Sequence, residues 1–329
     1  MHSSLPHSSW RRLSLALALG GLISGPALAE RDHFEPIRVV ASHGMGNTAL
    51  HSASAQQPLT VLASLPVTFG LGQLLLQGTA IKLERAAPAN LPGSRQTAYF
   101  TGRGAQALSQ LALNADAVIG LRSIWPDDPL YPNARRSNIR IVEIDAARPV
   151  DGALPGVALQ PGQRDGLNAQ PWLSSNNLGR MADVLAADLA RLAPEAKPQI
   201  ESNLAGLKQR LLKLSAASET RLAEADNLSV LSLSEHFGYL VSGLNLELVG
   251  VDARADNKWT PEALQKLQAQ LKEHDVALVL HHRQPPEALK AAISAGGSQL
   301  LVLQTDSADP LGELEGNLQQ VTQALAPKS

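Results

Sequence analysis

The sequence predicts an α/β protein of two β/α lobes, each with a parallel four-stranded sheet, joined by one long linker helix. Three observations carry this. Short apolar runs alternate with helical stretches from Pro58 to Ile144, and the same alternation restarts at Asn227. Between them lies the strongest helical signal of the chain, with Ile200, Leu204, Leu207, Leu211 and Leu214 at spacings of four and three. The composition is 44% hydrophobic, 18% charged and 3% aromatic, so the core must be built from Leu, Ala and Val, as suits helices packed on sheets.

In chain order, residues 1–29 come first. They begin with a cationic stretch ending at Arg11 and Arg12, continue as an apolar run from Leu13 to Ile23, and close on Ala27-Leu28-Ala29. This is the pattern of a secretory signal cleaved before Glu30. The run falls short of the roughly 20 residues that a membrane helix needs. Residues 30–57 lack apolar periodicity and are expected to form a flexible leader, in which His33, His43, Met45 and His51 match no fixed metal spacing.

The N-terminal lobe is expected over 58–175. Leu59 to Leu65 has the form of a buried parallel strand, followed by a helix from Val67 to Leu76. Strands are predicted at Ala80 to Glu84, Ala115 to Ile119 and Ile139 to Ile144, with a helix from Gly102 to Ala112 leading into the second of these. After a Pro/Gly-rich passage from Ala147 to Gln163, linker helices occupy 176–226. One spans Asn176 to Leu192; Pro194 interrupts, and Lys197 to Ala225 forms the other, about 45 Å long at 1.5 Å per residue. A rigid element crossing both lobes predicts limited hinge opening.

The C-terminal lobe is expected over 227–329, with strands at Asn227 to Leu233, Leu246 to Val251, Val276 to Leu280 and Gln299 to Leu303. Thr260-Pro261-Glu262 opens a helix with a capping Thr and a Pro at its first position. Pro285-Pro286-Glu287 opens another, and Leu311 to Leu325 closes the chain. In open parallel sheets ligands bind beyond the carboxyl ends of the strands, so the facing strand ends are expected to line one cleft.

Composition excludes several functions. A net charge of −2 provides no basic field for nucleic acid or an anionic membrane. With no cysteine, there is no thiolate for a structural zinc site or a nucleophile. No Gly-x-Ser-x-Gly, phosphate loop or His-Glu-x-x-His occurs, which argues against an enzyme. The expectation is a protein that diffuses in the periplasm and is not inserted in a membrane.

Several patterns, in order, resemble the periplasmic solute-binding proteins of zinc and manganese ABC importers. They are Val61-Leu62-Ala63-Ser64-Leu65-Pro66, Pro171-Trp172-Leu173-Ser174, Ser234-Glu235-His236-Phe237-Gly238-Tyr239, Leu244 to Val251, and Asp309-Pro310-Leu311 with Asn317-Leu318. The resemblance implies an ABC permease and ATPase as partners, and an ion held between the lobes by three His and a carboxylate. Matched to the family's pattern, those four ligand positions fall on Thr97, Gln170, Ser234 and Gln304. These neutral groups orient a polar molecule and do not hold a transition metal tightly. A one-residue slip would bring in His236, and Asp306 would replace Gln304.

The same strand ends carry Arg95, Tyr99, Arg103, Arg122 and Trp125 in the first lobe, and His281, His282 and Arg283 in the second. Arginine forks bind carboxylates and hydroxamates, while Trp and Tyr faces hold flat groups. Together these predict no intrinsic cofactor and a larger, partly anionic ligand such as a metal–siderophore complex. The arrangement is similar to the accessory binding proteins that handle pyoverdine iron in pseudomonads, which implies a second periplasmic binding protein as a further partner. Direct zinc or manganese binding and a non-transporting scaffold for a partner protein are the alternatives.

Overall fold

Two parallel sheets of the same topology organise the chain. In the first half come β1 (Thr60–Ala63), α1 (Pro66–Leu76), β2 (Lys82–Arg85), α2 (Gly93–Thr101), α3 (Ala105–Leu113), β3 (Ala117–Gly120), α4 (Leu130–Ala134) and β4 (Val142–Asp145). Two long helices follow, α5 (Ser175–Leu192) and α6 (Lys197–Leu222). The second half contains β5 (Ser229–Ser232), α7 (Gly238–Gly243), β6 (Glu247–Val251), α8 (Pro261–Glu273), β7 (Leu278–His281), α9 (Glu287–Ala295), β8 (Gln299–Val302) and α10 (Pro310–Leu325). This computed structural model describes residues 58–150, 152, 154–160 and 167–327. The signal segment and leader expected over 1–57 lie outside the described residues.

The strand orders are β2-β1-β3-β4 and β6-β5-β7-β8, with every pairing parallel. In each sheet the winding reverses between its two central strands, β1/β3 and β5/β7, which creates a crevice beyond their carboxyl ends. All four residues of β3, β5 and β7 are buried, as expected of strands covered on both faces. Three of the four edge strands carry charges instead: Lys82 and Glu84 lie on β2, Glu143 on β4 and Glu247 on β6, which discourages pairing with another chain, while β8 has only Gln299 as a polar residue.

One apolar core runs through the junction of the two sheets. It includes Val61, Leu71 and Ile119 from the first half, Leu185 and Leu207 from α5 and α6, and Val230, Leu280 and Leu314 from the second half. Separate outer cores sit on the far faces, around Leu62, Phe100 and Val118 in one lobe and Leu231, Leu271 and Val279 in the other. Helix α6 is fastened to both sides. Asn203 Nδ2 donates to Leu75 O and Gln77 O at the end of α1, both at 2.8 Å, while Arg210 pairs with Glu315 of α10 at 3.0 Å. A direct contact also joins the lobes: a Cβ on Gly70 of α1 would run into Ala308 O and Pro310 Cδ at the start of α10.

Three helices, α2, α4 and α7, were not expected from the sequence. α2 occupies the segment around Thr97, α4 the segment after Trp125 and α7 the segment after Phe237. None is long or periodic enough to reveal itself, since α2 buries only Gln96 and Phe100, α4 only Leu130 and Ala134, and α7 is six residues long.

Candidate functional site

Beyond β5, Ser232 Oγ donates to Ser234 O at 2.6 Å, and Ser234 Oγ accepts from His236 N at 3.3 Å, capping a short 3-10 turn over Glu235–Phe237. This local geometry turns His236 outward. Its Nδ1 stands 2.5 Å from Asn168 O, and because a carbonyl only accepts, Nδ1 carries a proton and Nε2 is left outside this contact.

Beyond β7 the adjacent histidines separate. His281 is only 2% exposed, and its Nδ1 accepts from His282 N at 3.1 Å. The His282 ring lies edge-on to His236 with centroids 4.9 Å apart, and stands at the same distance from His281. Arg283 donates from Nη1 to His282 Nε2 at 2.7 Å and forks onto Asp256 at 2.9 and 3.3 Å. Burial, together with the neighbouring His236, His281 and Arg283, lowers the His282 pKa to about 4. Burial also lowers that of His281, with Arg283 acting in the same direction. The His282 ring is therefore neutral at neutral pH.

Beyond β8 the chain bends at Asp306, whose φ of +64° is the left-handed conformation that few non-glycine residues adopt. Its Oδ1 accepts from Gln170 Nε2 at 3.3 Å. Asn317 of α10 fixes the base of this loop by bonding both the N–H and the C=O of Gln304, at 3.0 and 2.8 Å. Glu313, 4% exposed, accepts from Ser307 N at 2.5 Å. Burial raises the Glu313 carboxyl to about 7, against the Ser307 hydrogen bond and helped by Asp306 and Asp309. Burial likewise raises Asp306, although nearby His236 pulls it back.

Two buried glutamines carry incompletely bonded amides. Gln96 of α2 is fully buried and donates from Nε2 to Ser64 O at the end of β1, at 3.1 Å. Gln170, 1% exposed, sits at φ +47° directly before the 3-10 turn Pro171–Leu173. Each keeps a buried Oε1 with no hydrogen-bond partner. Such a buried acceptor is costly to leave unmet, and so favours a ligand or water that donates to it.

Several residues predicted from sequence take other places. Thr97 is exposed on α2, and Gln96 is the neighbour turned inward. Gln304 is an anchored backbone position, and Asp306 is the residue whose side chain meets Gln170. Ser234 Oγ is committed to capping, and His281 is enclosed behind His282. Arg122 Nη1 donates to both carboxylate oxygens of Glu143, at 3.0 and 3.3 Å, and the guanidinium lies over the Tyr131 ring, while Trp125 packs on the central core. Arg103 lies over Tyr99, which packs against Phe100, and Arg95 is exposed on α2. The structure thus brings together Gln170, His236, His282, Arg283 and Asp306, and leaves the Arg95–Tyr99–Arg103 group on the outer side of α2 and the turn after it. Gln96 and Glu313 were missed. Gln96 lies one residue from the matched position, and no sequence signal marks Glu313.

The side chains of metal-ligating type that meet here are two imidazoles, His236 and His282, and the carboxylate of Asp306. Among the described residues no group of three or more His, Asp or Glu is arranged to hold a metal ion. Nor is any helix among them long and apolar enough to cross a membrane.

The fold has many solved relatives. An FpvC mutant from Pseudomonas aeruginosa is 21% identical with a TM-score of 0.64, the match covering 81% of this chain and 99% of that one. A zinc-bound ZnuA deletion mutant is 20% identical with a TM-score of 0.60, covering 83% and 100%. Zinc-bound AdcA from Streptococcus pneumoniae is 18% identical with a TM-score of 0.64, covering 83% and 59%. At these identities the likeness establishes the fold. No curated protein matches the chain by sequence. The family model for the periplasmic zinc-uptake complex component A, however, matches residues 114–326, well over half the chain. The protein therefore belongs to the ZnuA family of periplasmic metal-binding components of ABC importers.

Proposed function

We propose that the protein is the periplasmic substrate-binding component of a metal ABC importer, and that its cleft takes the metal already complexed by an organic chelator, a ferric siderophore being the class that fits. The observation that carries this reading is the pair of buried amides, Gln96 and Gln170, each with an unpartnered carbonyl oxygen at the strand ends. Amide carbonyls of this kind recognise N–H and O–H groups on an organic ligand. A closed zinc site takes four protein ligands, whereas this end of the molecule offers His236, His282 and Asp306. The protein would collect its ligand after secretion, deliver it to a permease and ATPase, and exchange it with a second periplasmic binding protein.

A second reading, direct binding of a divalent ion, is favoured by the His236–His282 pair beside Asp306. FpvC, a fold relative, is described in complexes with Ni2+ and Mn2+. Intrinsic tryptophan fluorescence separates the two readings, because Trp172 lies two residues from Gln170 and is buried at the junction. The protein is titrated with zinc, manganese and ferric iron, then with ferric and iron-free siderophores, including pyoverdine. Saturable quenching by a ferric siderophore and none by bare ions is expected. Tight binding of a bare ion would replace the chelate with the ion, and silence toward every probe would end the transport reading in favour of a scaffold.

A further inference from the structure

Arg283 stands in an unusual relation to the cleft histidines. It is a surface residue on the turn after β7, and its guanidinium is held by Asp256 through two bonds of 2.9 and 3.3 Å. The remaining arm, Nη1, reaches His282 Nε2 at 2.7 Å. A guanidinium only donates, so the imidazole nitrogen must accept, and the proton of the neutral ring must sit on Nδ1. That Nδ1 is buried without a hydrogen-bond partner. Both nitrogens of His282 are then closed to a cation: Nε2 because its lone pair points into Arg283, and Nδ1 because it carries a proton. His236, by contrast, has Nδ1 against Asn168 O and Nε2 unengaged.

We propose that Arg283 is a selectivity residue of the cleft, occupying the one lone pair of His282 and so turning the site away from bare divalent cations. The inference deepens the chelate reading and rests on it for its biological meaning. A metal enclosed by its own chelator needs no imidazole lone pair, and an anionic chelate meets a guanidinium favourably. A bare ion must instead displace Arg283, and would then sit beside the displaced positive charge. Asp256 strengthens the arrangement by fixing the fork, so the Arg283 arm does not have to be ordered when it meets His282.

The test uses bare zinc, and therefore does not depend on finding the chelator. Zinc affinity is measured by calorimetry on the parent, on Arg283→Ala and on the double variant Arg283→Ala/His282→Ala. Arg283→Ala is expected to bind zinc at least tenfold more tightly than the parent, and the double variant to lose that gain. Equal zinc affinity of parent and Arg283→Ala, or a gain that survives removal of His282, overturns the proposal. A second measurement needs no variant: the nitrogen-15 spectrum of the parent is expected to show His282 protonated on Nδ1 at neutral pH, and a proton on Nε2 overturns the proposal. Failure of siderophores to bind the parent, together with the zinc gain in Arg283→Ala, would sink the chelate reading and leave the role of Arg283 standing.

Discussion

The two sheets share one strand order and differ in what their strand ends do. In the first lobe the charged side chains there pair with their neighbours, although Gln96 Oε1 and Arg122 Nε stay unpartnered. Arg122 is paired with Glu143, Ser123 bonds Asp145 through both N and Oγ, and the buried Asp128 accepts from Leu121 N and Leu130 N. In the second lobe the corresponding positions present His236, His282 and Asp306 toward the junction, with Gln170 reaching across to Asp306. Identical topology thus yields a lobe whose charges are paired internally and which offers the open amide of Gln96, and a lobe that carries the imidazoles. Backbone winding fixes where a site can be, and side-chain pairing decides which half supplies it.

The largest effect is expected where the halves touch. Gly70→Ala places a methyl against Ala308 O and Pro310 Cδ, backbone and ring atoms that cannot swing aside. We expect a loss of about 2–3 kcal/mol in urea denaturation, at the upper end of ordinary overpacking. A smaller loss would mean that the junction yields and that the lobes move more freely than α6 implies.

The difference between the lobes is tested by paired substitutions. His236→Ala is expected to weaken ligand binding by about 0.5–1.5 kcal/mol, the net scale of one hydrogen bond. Arg122→Ala is expected to leave affinity unchanged and to cost at most about 1 kcal/mol of stability, because the Arg122 side chain is itself 40% exposed in its pair with Glu143. The sequence had placed Arg122 among the ligand contacts. Loss of affinity in Arg122→Ala, measured by the same fluorescence titration, would restore it there and erase the asymmetry.

The titrating groups beneath the second lobe's site give opposite pH signatures. Glu313 has its carboxyl raised from 4.5 to about 7, so the stability linked to it is present below pH 4.5 and is lost as pH rises toward 7. His282 is lowered from 6.5 to about 4, so its contribution is present above pH 6.5 and is lost as pH falls toward 4. Glu313→Gln keeps an acceptor for Ser307 N and removes the charge. Its melting temperature is expected to exceed the parent's at pH 8 and to match it at pH 4; equal melting at both would show that the Glu313 charge is not buried in solution.

The smallest effect concerns the linker. Gly206 lies inside α6, and a Cβ there meets nothing within 4 Å. Gly206→Ala is expected to stabilise the protein by about 0.5–1 kcal/mol, read from the urea midpoint. No gain would show that the glycine serves a bend or a contact in α6.

The sequence by itself determined the order of β and α elements and the long junction helix, because both depend on local periodicity. β3 is apolar along its length and β7 is apolar up to its last residue, His281, and the stripe through Ile200, Leu207 and Leu211 is buried as its spacing requires. It also singled out Gln170, by the pattern ending in Pro171-Trp172-Leu173, and the fold sets that residue against Asp306. Only the tertiary structure decided that Gln96 rather than Thr97 turns inward, since which side of a two-turn helix is buried depends on what packs there. Only it decided that Asp306 rather than Gln304 meets Gln170, since that follows from a left-handed bend and from Asn317 clamping the preceding backbone. The partners that withdrew Arg122 and engaged His282 lie 21 and 27 residues from the arginines that bind them: Glu143 for Arg122, and Asp256 for the Arg283 that holds His282. A charge can be read from a sequence one residue at a time, but whether it is free or already paired is a property of distances that folding alone creates.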